Sequence, residues 1–264
     1  MKHNNFPIGF LDSGVGGLTV VNELLKLNNK ENIFFIGDQK NAPYGTKKIK
    51  EIESLVQQDI NFLLKHNVKA IVMACNTASA VYINKARSYL SIPVIGMIDS
   101  GAVSASKVTL TKRIGVIATS ATVNQHSYQK AITALIPDAQ IFELSCSEFV
   151  PLIEENADIN QIRSIVSKKL SYFDDKSIDC LVLGCTHFPI IKNVISDCIN
   201  SNIEIVNPAI EVIRKLMDIL TKEELLSNIK KHDYFYTTYD NGVMNKLAYK
   251  LFHRQVKIKV IGNE

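Results

Sequence analysis

A chain of 264 residues has room for one large domain or two of ordinary size. Its 46% hydrophobic and 21% charged content builds a full core and excludes a disordered chain. The net charge of +4 comes from 30 basic and 26 acidic residues scattered along the chain, so no nucleic-acid partner is expected.

The chain opens Met1-Lys2-His3-Asn4-Asn5-Phe6-Pro7 with no secretory apolar core, and a cytoplasmic location is expected. Ile8–Leu11 is a buried-strand run, followed by the glycine-rich turn Asp12-Ser13-Gly14-Val15-Gly16-Gly17 and a predicted helix over Gly17–Leu27. Ile33–Ile36 is the next strand. The loop Asn41-Ala42-Pro43-Tyr44-Gly45-Thr46 then starts a helix over Lys47–Lys65, with Ile49, Ile52, Leu55, Val56, Ile60, Leu63 and Leu64 on one face. Strands follow at Ala70–Ala74 and Val94–Met97. Apolar runs of this size are too short to span a bilayer, so no membrane association is expected.

Strands are next predicted at Ile114–Ala118, Gln140–Leu144, Cys180–Leu183 and Ile203–Val206. Helices are predicted between or after them at Ala121–Leu135, Ile159–Phe173 and Ile190–Ile199. This alternation predicts an α/β fold with parallel sheets covered by helices on both faces. Ile8-Gly9-Phe10-Leu11-Asp12-Ser13 also resembles Ile114-Gly115-Val116-Ile117-Ala118-Thr119. Lys69 to Thr77 resembles Asp179 to His187 at nearly the same offset. Two related α/β domains are therefore expected, with a boundary near Gly96–Gly101.

In open α/β sheets, ligands bind beyond the carboxyl ends of the strands. The Asp12–Gly17 turn lies there. As a dinucleotide fingerprint it fails, although Asp38 ends the next strand, because the third glycine position holds Thr19. The Asn41–Thr46 loop is either a simple helix-starting turn or an anion grip made of backbone amides and the Tyr44 hydroxyl. Five cysteines, with no Cys-x-x-Cys, read as reduced thiols and not as a metal site. Cys146, Cys180 and Cys198 read as structural. Cys75 and Cys185 instead end equivalent strands, at expected helix N-termini where the dipole lowers a thiol pKa from about 8.5 toward neutrality.

A Cys-His hydrolase would leave one of these thiols idle. Inverting a carbon stereocentre needs two bases, one on each face. Helix N-termini further favour an anionic substrate. Together these features suggest racemisation of an acidic amino acid. A two-domain solute-binding protein would share the architecture without needing both thiols.

At these residues the sequence resembles the glutamate racemases, which are cofactor-independent enzymes that supply D-glutamate for peptidoglycan. The matching motifs are Asp12-Ser13-Gly14-Val15-Gly16-Gly17-Leu18-Thr19, Pro43-Tyr44-Gly45, Cys75-Asn76-Thr77, Val150-Pro151-Leu152-Ile153-Glu154, Gly184-Cys185-Thr186-His187-Phe188-Pro189 and Phe235-Tyr236-Thr237-Thr238. The resemblance implies two similar α/β domains related by pseudo-symmetry, with the active site in the cleft between them. It implies residues 1–97 plus 209–264 as the first domain and 98–208 as the second. The returning tail would include strand-like Tyr234–Thr238 and Val256–Ile261.

It further implies that Cys75 takes the proton from D-glutamate and Cys185 from L-glutamate. Asp12 would assist at Cys75, with His187 and Glu154 on the Cys185 side. Asp12, Ser13, Tyr44, Gly45, Asn76, Thr77, Thr122, Thr186 and His187 would bind substrate. No cofactor or metal and a homodimer are implied. An aspartate racemase is the nearest alternative; His187 after Cys185-Thr186 favours glutamate. Cys146-Ser147, Ile98-Asp99-Ser100-Gly101 and Thr238-Tyr239 depart from the family pattern without touching a proposed catalytic residue. No long N-terminal extension is present, so activity is expected without the cell-wall precursor that activates some members.

Overall fold

Five strands of the first half, β1 (Ile8–Asp12), β2 (Ile33–Gly37), β3 (Ala70–Met73), β4 (Val94–Gly96) and later β9 (Tyr234–Thr237), are almost wholly buried. Continuous apolar strands of this kind need cover on both faces, which only a helix-flanked parallel sheet provides. With β10 (Ile258–Val260) they form one six-stranded parallel sheet in the order β10-β9-β2-β1-β3-β4. A second parallel sheet has the order β6-β5-β7-β8, from β5 (Arg113–Ala118), β6 (Gln140–Ser145), β7 (Cys180–Gly184) and β8 (Glu204–Val206). The computed structural model describes residues 3–28 and 30–262. Met1 and Lys2, which open the N-terminal stretch read above, lie outside the described residues.

The sub-order β2-β1-β3-β4 matches β6-β5-β7-β8 strand for strand. Thus β1 corresponds to β5 and β3 to β7, the same pairs that the sequence repeat relates. Four apolar clusters cover the four sheet faces. Helices α1 (Leu18–Leu27), α10 (Pro208–Lys222) and α11 (Val243–Phe252) pack on one face of the first sheet, α2 (Ile49–Lys65) and α3 (Asn76–Tyr89) on the other. In the second half, α7 (Phe149–Glu154), α8 (Ile159–Leu170) and α9 (Lys192–Asp197) cover one face. The opposite face takes α4 (Met97–Val108) and α6 (Ser127–Leu135). Among the described residues no helix is long and apolar enough to cross a membrane.

Several expected boundaries move. Met97 is not the end of a strand but the first residue of α4, so the segment around Gly96–Gly101 is a turn into a helix. The helix expected over Ala121–Leu135 is two: α5 (Ser120–Asn124) and α6, separated by His126 at φ 50°. That left-handed residue stops the helical ladder, and its ring meets Glu143 Oε2 at 2.9 Å. Pro189 lies within a 3₁₀ turn, Phe188–Ile191, that precedes the shortened α9. Helix α3 was not marked by periodicity because its first turn, Asn76-Thr77-Ala78-Ser79, is small and polar yet buried. Its apolar stripe begins only at Tyr82 and Ile83.

Candidate active site

The carboxyl ends of the two sheets face one small cavity. Its walls include Ser13, Cys75, Asn76 and Thr77 from the first half and Thr119, Cys185, Thr186 and His187 from the second. Pro43, Tyr44, Gly45, Val150 and Gly184 complete it. Its free volume of about 20 Å³ is roughly the room one water needs. An amino acid enters only if the walls separate.

Cys75 lies two residues past the end of β3 and is the N-cap of α3, its sulfur accepting the Ala78 N–H at 3.5 Å. Ser13 Oγ lies 3.6 Å from the same sulfur. The helix dipole was expected to draw this thiol toward neutrality, and the outcome is the reverse. Burial pushes Cys75 up to about 12, and the Asp12 carboxylate adds to the rise, outweighing the two hydrogen bonds. A dipole of about half a charge cannot compensate full removal from water.

Cys185 follows β7 in the matching place, but the chain there enters a 3₁₀ turn and not an α-helix. Its partner is His187, whose Nδ1 lies 3.8 Å from Sγ. The other ring nitrogen, Nε2, meets Glu154 Oε1 at 2.8 Å. Burial alone would lower His187; the Cys185 and Glu154 pairings outweigh it and raise its pKa to about 10. Glu154 is pushed up by burial, yet the imidazolium pulls it below the usual carboxylate range. The Cys185 sulfur therefore faces a cation, whereas Cys75 does not.

Asp12 ends β1, fully buried. Burial raises it to about 6, against the pull of His187 and the Gly14 N–H at 2.9 Å. It reaches across the cleft, accepting from Thr186 Oγ1 at 3.2 Å. Thr19 Oγ1 donates to the Thr186 carbonyl at 3.0 Å, so the opening turn of one half is tied to the cysteine turn of the other. This close approach requires Gly16, where any Cβ would collide with Thr186 Oγ1 and His187.

Three hydroxyls, Thr77, Thr119 and Thr122, form one cluster with separations of 2.9, 3.2 and 3.4 Å. Asn76 Oδ1 accepts from the Tyr128 hydroxyl at 2.6 Å, and Asn76 Nδ2 is buried without a partner. An unpaired buried donor lining a cavity suits an incoming carboxylate. Gly45 lies on the cavity wall. The Tyr44 hydroxyl, expected to grip an anion, is instead committed elsewhere. It donates to Asp38 Oδ2 at 2.7 Å and lies 3.1 Å from Asp59 Oδ2, so Tyr44 supplies only a ring wall. Burial holds both the Tyr44 phenol and the Asp59 carboxyl far above their ordinary values, in their neutral forms.

Thr119, Gln39 and Tyr128 are not singled out by the sequence, and Val150 enters it only as part of the Val150–Glu154 motif. For Thr119 a signal existed: it occupies the Ser13 position of the internal repeat. Among the described residues there is no cluster of three or more His, Cys, Asp or Glu arranged for a metal.

Comparison with known proteins places this geometry. Residues 19–216 match the family model for Asp/Glu/Hydantoin racemase. The chain is 36% identical over 261 residues to the glutamate racemase of Pediococcus pentosaceus, covering 98% of each. It superposes on a Bacillus anthracis glutamate racemase with TM-score 0.94 at 33% identity, covering 100% of this chain and 99% of that one. A Francisella tularensis glutamate racemase solved in complex with D-glutamate gives TM-score 0.91 at 33% identity, covering 98% of each. The chain belongs to the Asp/Glu/hydantoin racemase family, alongside the glutamate racemases it matches.

Proposed function

We propose that this protein is a cofactor-independent racemase that interconverts L- and D-glutamate with two cysteine bases. The observation that carries the reading is the placement of Cys75 and Cys185 just past equivalent strand ends, both on the wall of one small cavity. One Sγ, as thiolate, takes the Cα proton and becomes a thiol. The other, as thiol, delivers its proton to the opposite face and becomes a thiolate. The reverse reaction exchanges the roles, and solvent resets the protons. Cys75 serves D-glutamate and Cys185 serves L-glutamate.

Asp12 acts beside Cys75, and His187 with Glu154 beside Cys185. The Asn76 amide, the Ser13, Thr77 and Thr186 hydroxyls and the backbone at Gly45 bind the substrate. Thr122 holds the hydroxyl cluster in place from behind, and Tyr44 shapes the wall. The substrate ammonium, entering next to a thiol raised to about 12, favours its thiolate and prepares it as base.

The reading extends to D-glutamate supply for peptidoglycan, a cytoplasmic location, a homodimer and no cofactor. It includes a domain division of 1–97 with 209–264 and 98–208, which is supported by the packing of Ala209–Leu220 with the first sheet and Ile98–Ala105 with the second. A chiral assay of the purified protein in deuterated water tests the function. Solvent deuterium is expected at Cα of the product from the first turnover, with the remaining substrate still protiated. Protium carried into product, or loss of activity after removing carbonyl-reactive cofactors, overturns the two-base mechanism. Turnover of aspartate in place of glutamate overturns the substrate.

A further inference from the structure

The Gln39 side chain crosses between the two halves of the molecule. It begins the 3₁₀ turn that follows β2 in the first sheet, yet its Nε2 donates to Glu154 Oε2 at 3.0 Å on α7 of the second half. The other Glu154 oxygen already holds His187 at 2.8 Å, and His187 Nδ1 lies 3.8 Å from Cys185 Sγ. One chain of polar contacts therefore starts in the first domain and ends at the sulfur of the second.

Two further observations show that this crossing is built. Gln39 Oε1 is buried with no partner. The amide is thus turned so that its donor meets the carboxylate, even at the cost of orphaning its acceptor. Gly14 leaves the corridor open: a Cβ there would sit 2.8 Å from Gln39 Oε1 and 3.6 Å from Glu154 Oε1.

We infer that Gln39 is a positioning residue for the Cys185 base, acting through Glu154 and His187, so that this base is fully assembled only when the two domains are closed. The inference rests on the two-base reading above. Closing brings Gln39 to Glu154, which fixes the carboxylate that orients the imidazole. Among the described residues no hydrogen-bonded chain from the second half ends at the Cys75 sulfur: its partners Ser13 and Ala78 belong to its own half, and the Asp12 carboxylate nearby, which accepts from Thr186, is not bonded to it. Closure is thus coupled through Gln39 to the direction of proton abstraction that uses Cys185.

The test uses Gln39→Met, which keeps the length of the side chain and removes its N–H, with Gln39→Ala as a second variant should the thioether misfit. Single-turnover release of the Cα proton is measured from each enantiomer, with Cys185→Ala measured in parallel. Cys185→Ala defines the direction that depends on Cys185. If it leaves both directions intact, the two-base reading itself fails. With that direction defined, Gln39→Met is expected to slow it by roughly tenfold to a hundredfold and to leave the other within about twofold. Its acid limb should also move to higher pH, because Glu154 loses a donor that favours its ionised form. Added to His187→Asn, the Gln39 substitution should cost little more, since both act along one path. Equal slowing of the two directions, no slowing with an unmoved limb, or full additivity with His187→Asn overturns the inference while leaving the two cysteines in place.

Discussion

The two halves of the cleft are the same scaffold carrying different electrostatics. Strands β3 and β7 lead into cysteines at corresponding positions of the repeat, and β1 and β5 flank them identically. Where the first half ends its first strand in Asp12, the second has Ala118; where the second has His187 two residues past its cysteine, the first has Thr77. Cys75 consequently sits among neutral donors next to a carboxylate and is held up to about 12, while Cys185 faces an imidazolium. A repeated fold positions two thiols symmetrically, but a few side chains decide how tightly each environment holds a proton.

The severest test of this equivalence is removal of either sulfur. Cys75→Ala and Cys185→Ala should each lower racemisation by about 10²–10⁴-fold while circular dichroism and melting stay native, because neither thiol is part of a strand interior. Activity above a few per cent in either variant breaks the pairing. Mixing the two inactive proteins should restore nothing, since both thiols come from one chain.

His187→Asn sharpens the contrast between the halves. Single-turnover abstraction from L-glutamate is expected to fall by roughly 10–100-fold, and from D-glutamate by much less. Steady-state ratios are uninformative here, because the equilibrium between enantiomers is fixed. The same variant has a pH signature in stability. His187 is raised from 6.5 to about 10 in the fold, so its stabilisation is complete below pH 6.5 and is lost as pH rises through about 10. The stability gap between wild type and His187→Asn should therefore shrink across that window in denaturant titrations, and a constant gap would contradict a protonated His187.

Asp12 is the counterpart on the Cys75 side. Its folded pKa of about 6 exceeds the ordinary 3.8, so the fold prefers the neutral acid. That preference stabilises fully below pH 3.8 and is lost as pH rises through about 6. Asp12→Asn should thus be more stable than wild type at pH 7.5, by roughly 1–3 kcal/mol, with the advantage gone near pH 4. It should also slow abstraction from D-glutamate more than from L-glutamate. A variant less stable at pH 7.5 would mean that the ionised Asp12 is a net structural asset.

The smallest expected effect lies at the contact between halves. Tyr128→Phe keeps the buried ring but frees Asn76 Oδ1, so the amide loses its fixed orientation. Substrate KM should rise by roughly fivefold, about 1 kcal/mol, with kcat nearly unchanged. A fall in kcat at constant KM would place Tyr128 in the proton-transfer step instead.

Much of the fold was legible because parallel strands buried on both faces leave unmistakable apolar runs, and because the Ile8 and Ile114 segments repeat. Helices with weak patterns, such as α3, were not. Their first turns line a cavity, so small polar residues replace the apolar stripe that periodicity detects. The break at His126 escaped notice for a related reason: a single left-handed residue leaves no trace in hydrophobic spacing.

The chemistry divides along the same line. The residue types and their order, Asp12-Ser13, Cys75-Asn76-Thr77, Cys185-Thr186-His187 and Glu154, are properties of the sequence, and so is the pairing of two cysteines at repeated strand ends. Proton affinities are not, since they depend on burial and on neighbours far away in the chain. Only the folded structure raises Cys75 through desolvation, turns the Tyr44 hydroxyl away to Asp38 and Asp59, and brings Glu154 and Gln39 together across 115 positions of sequence. Sequence spacing encodes which groups share a strand end. Which charges meet in a water-poor cleft is set by the packing of one sheet against the other.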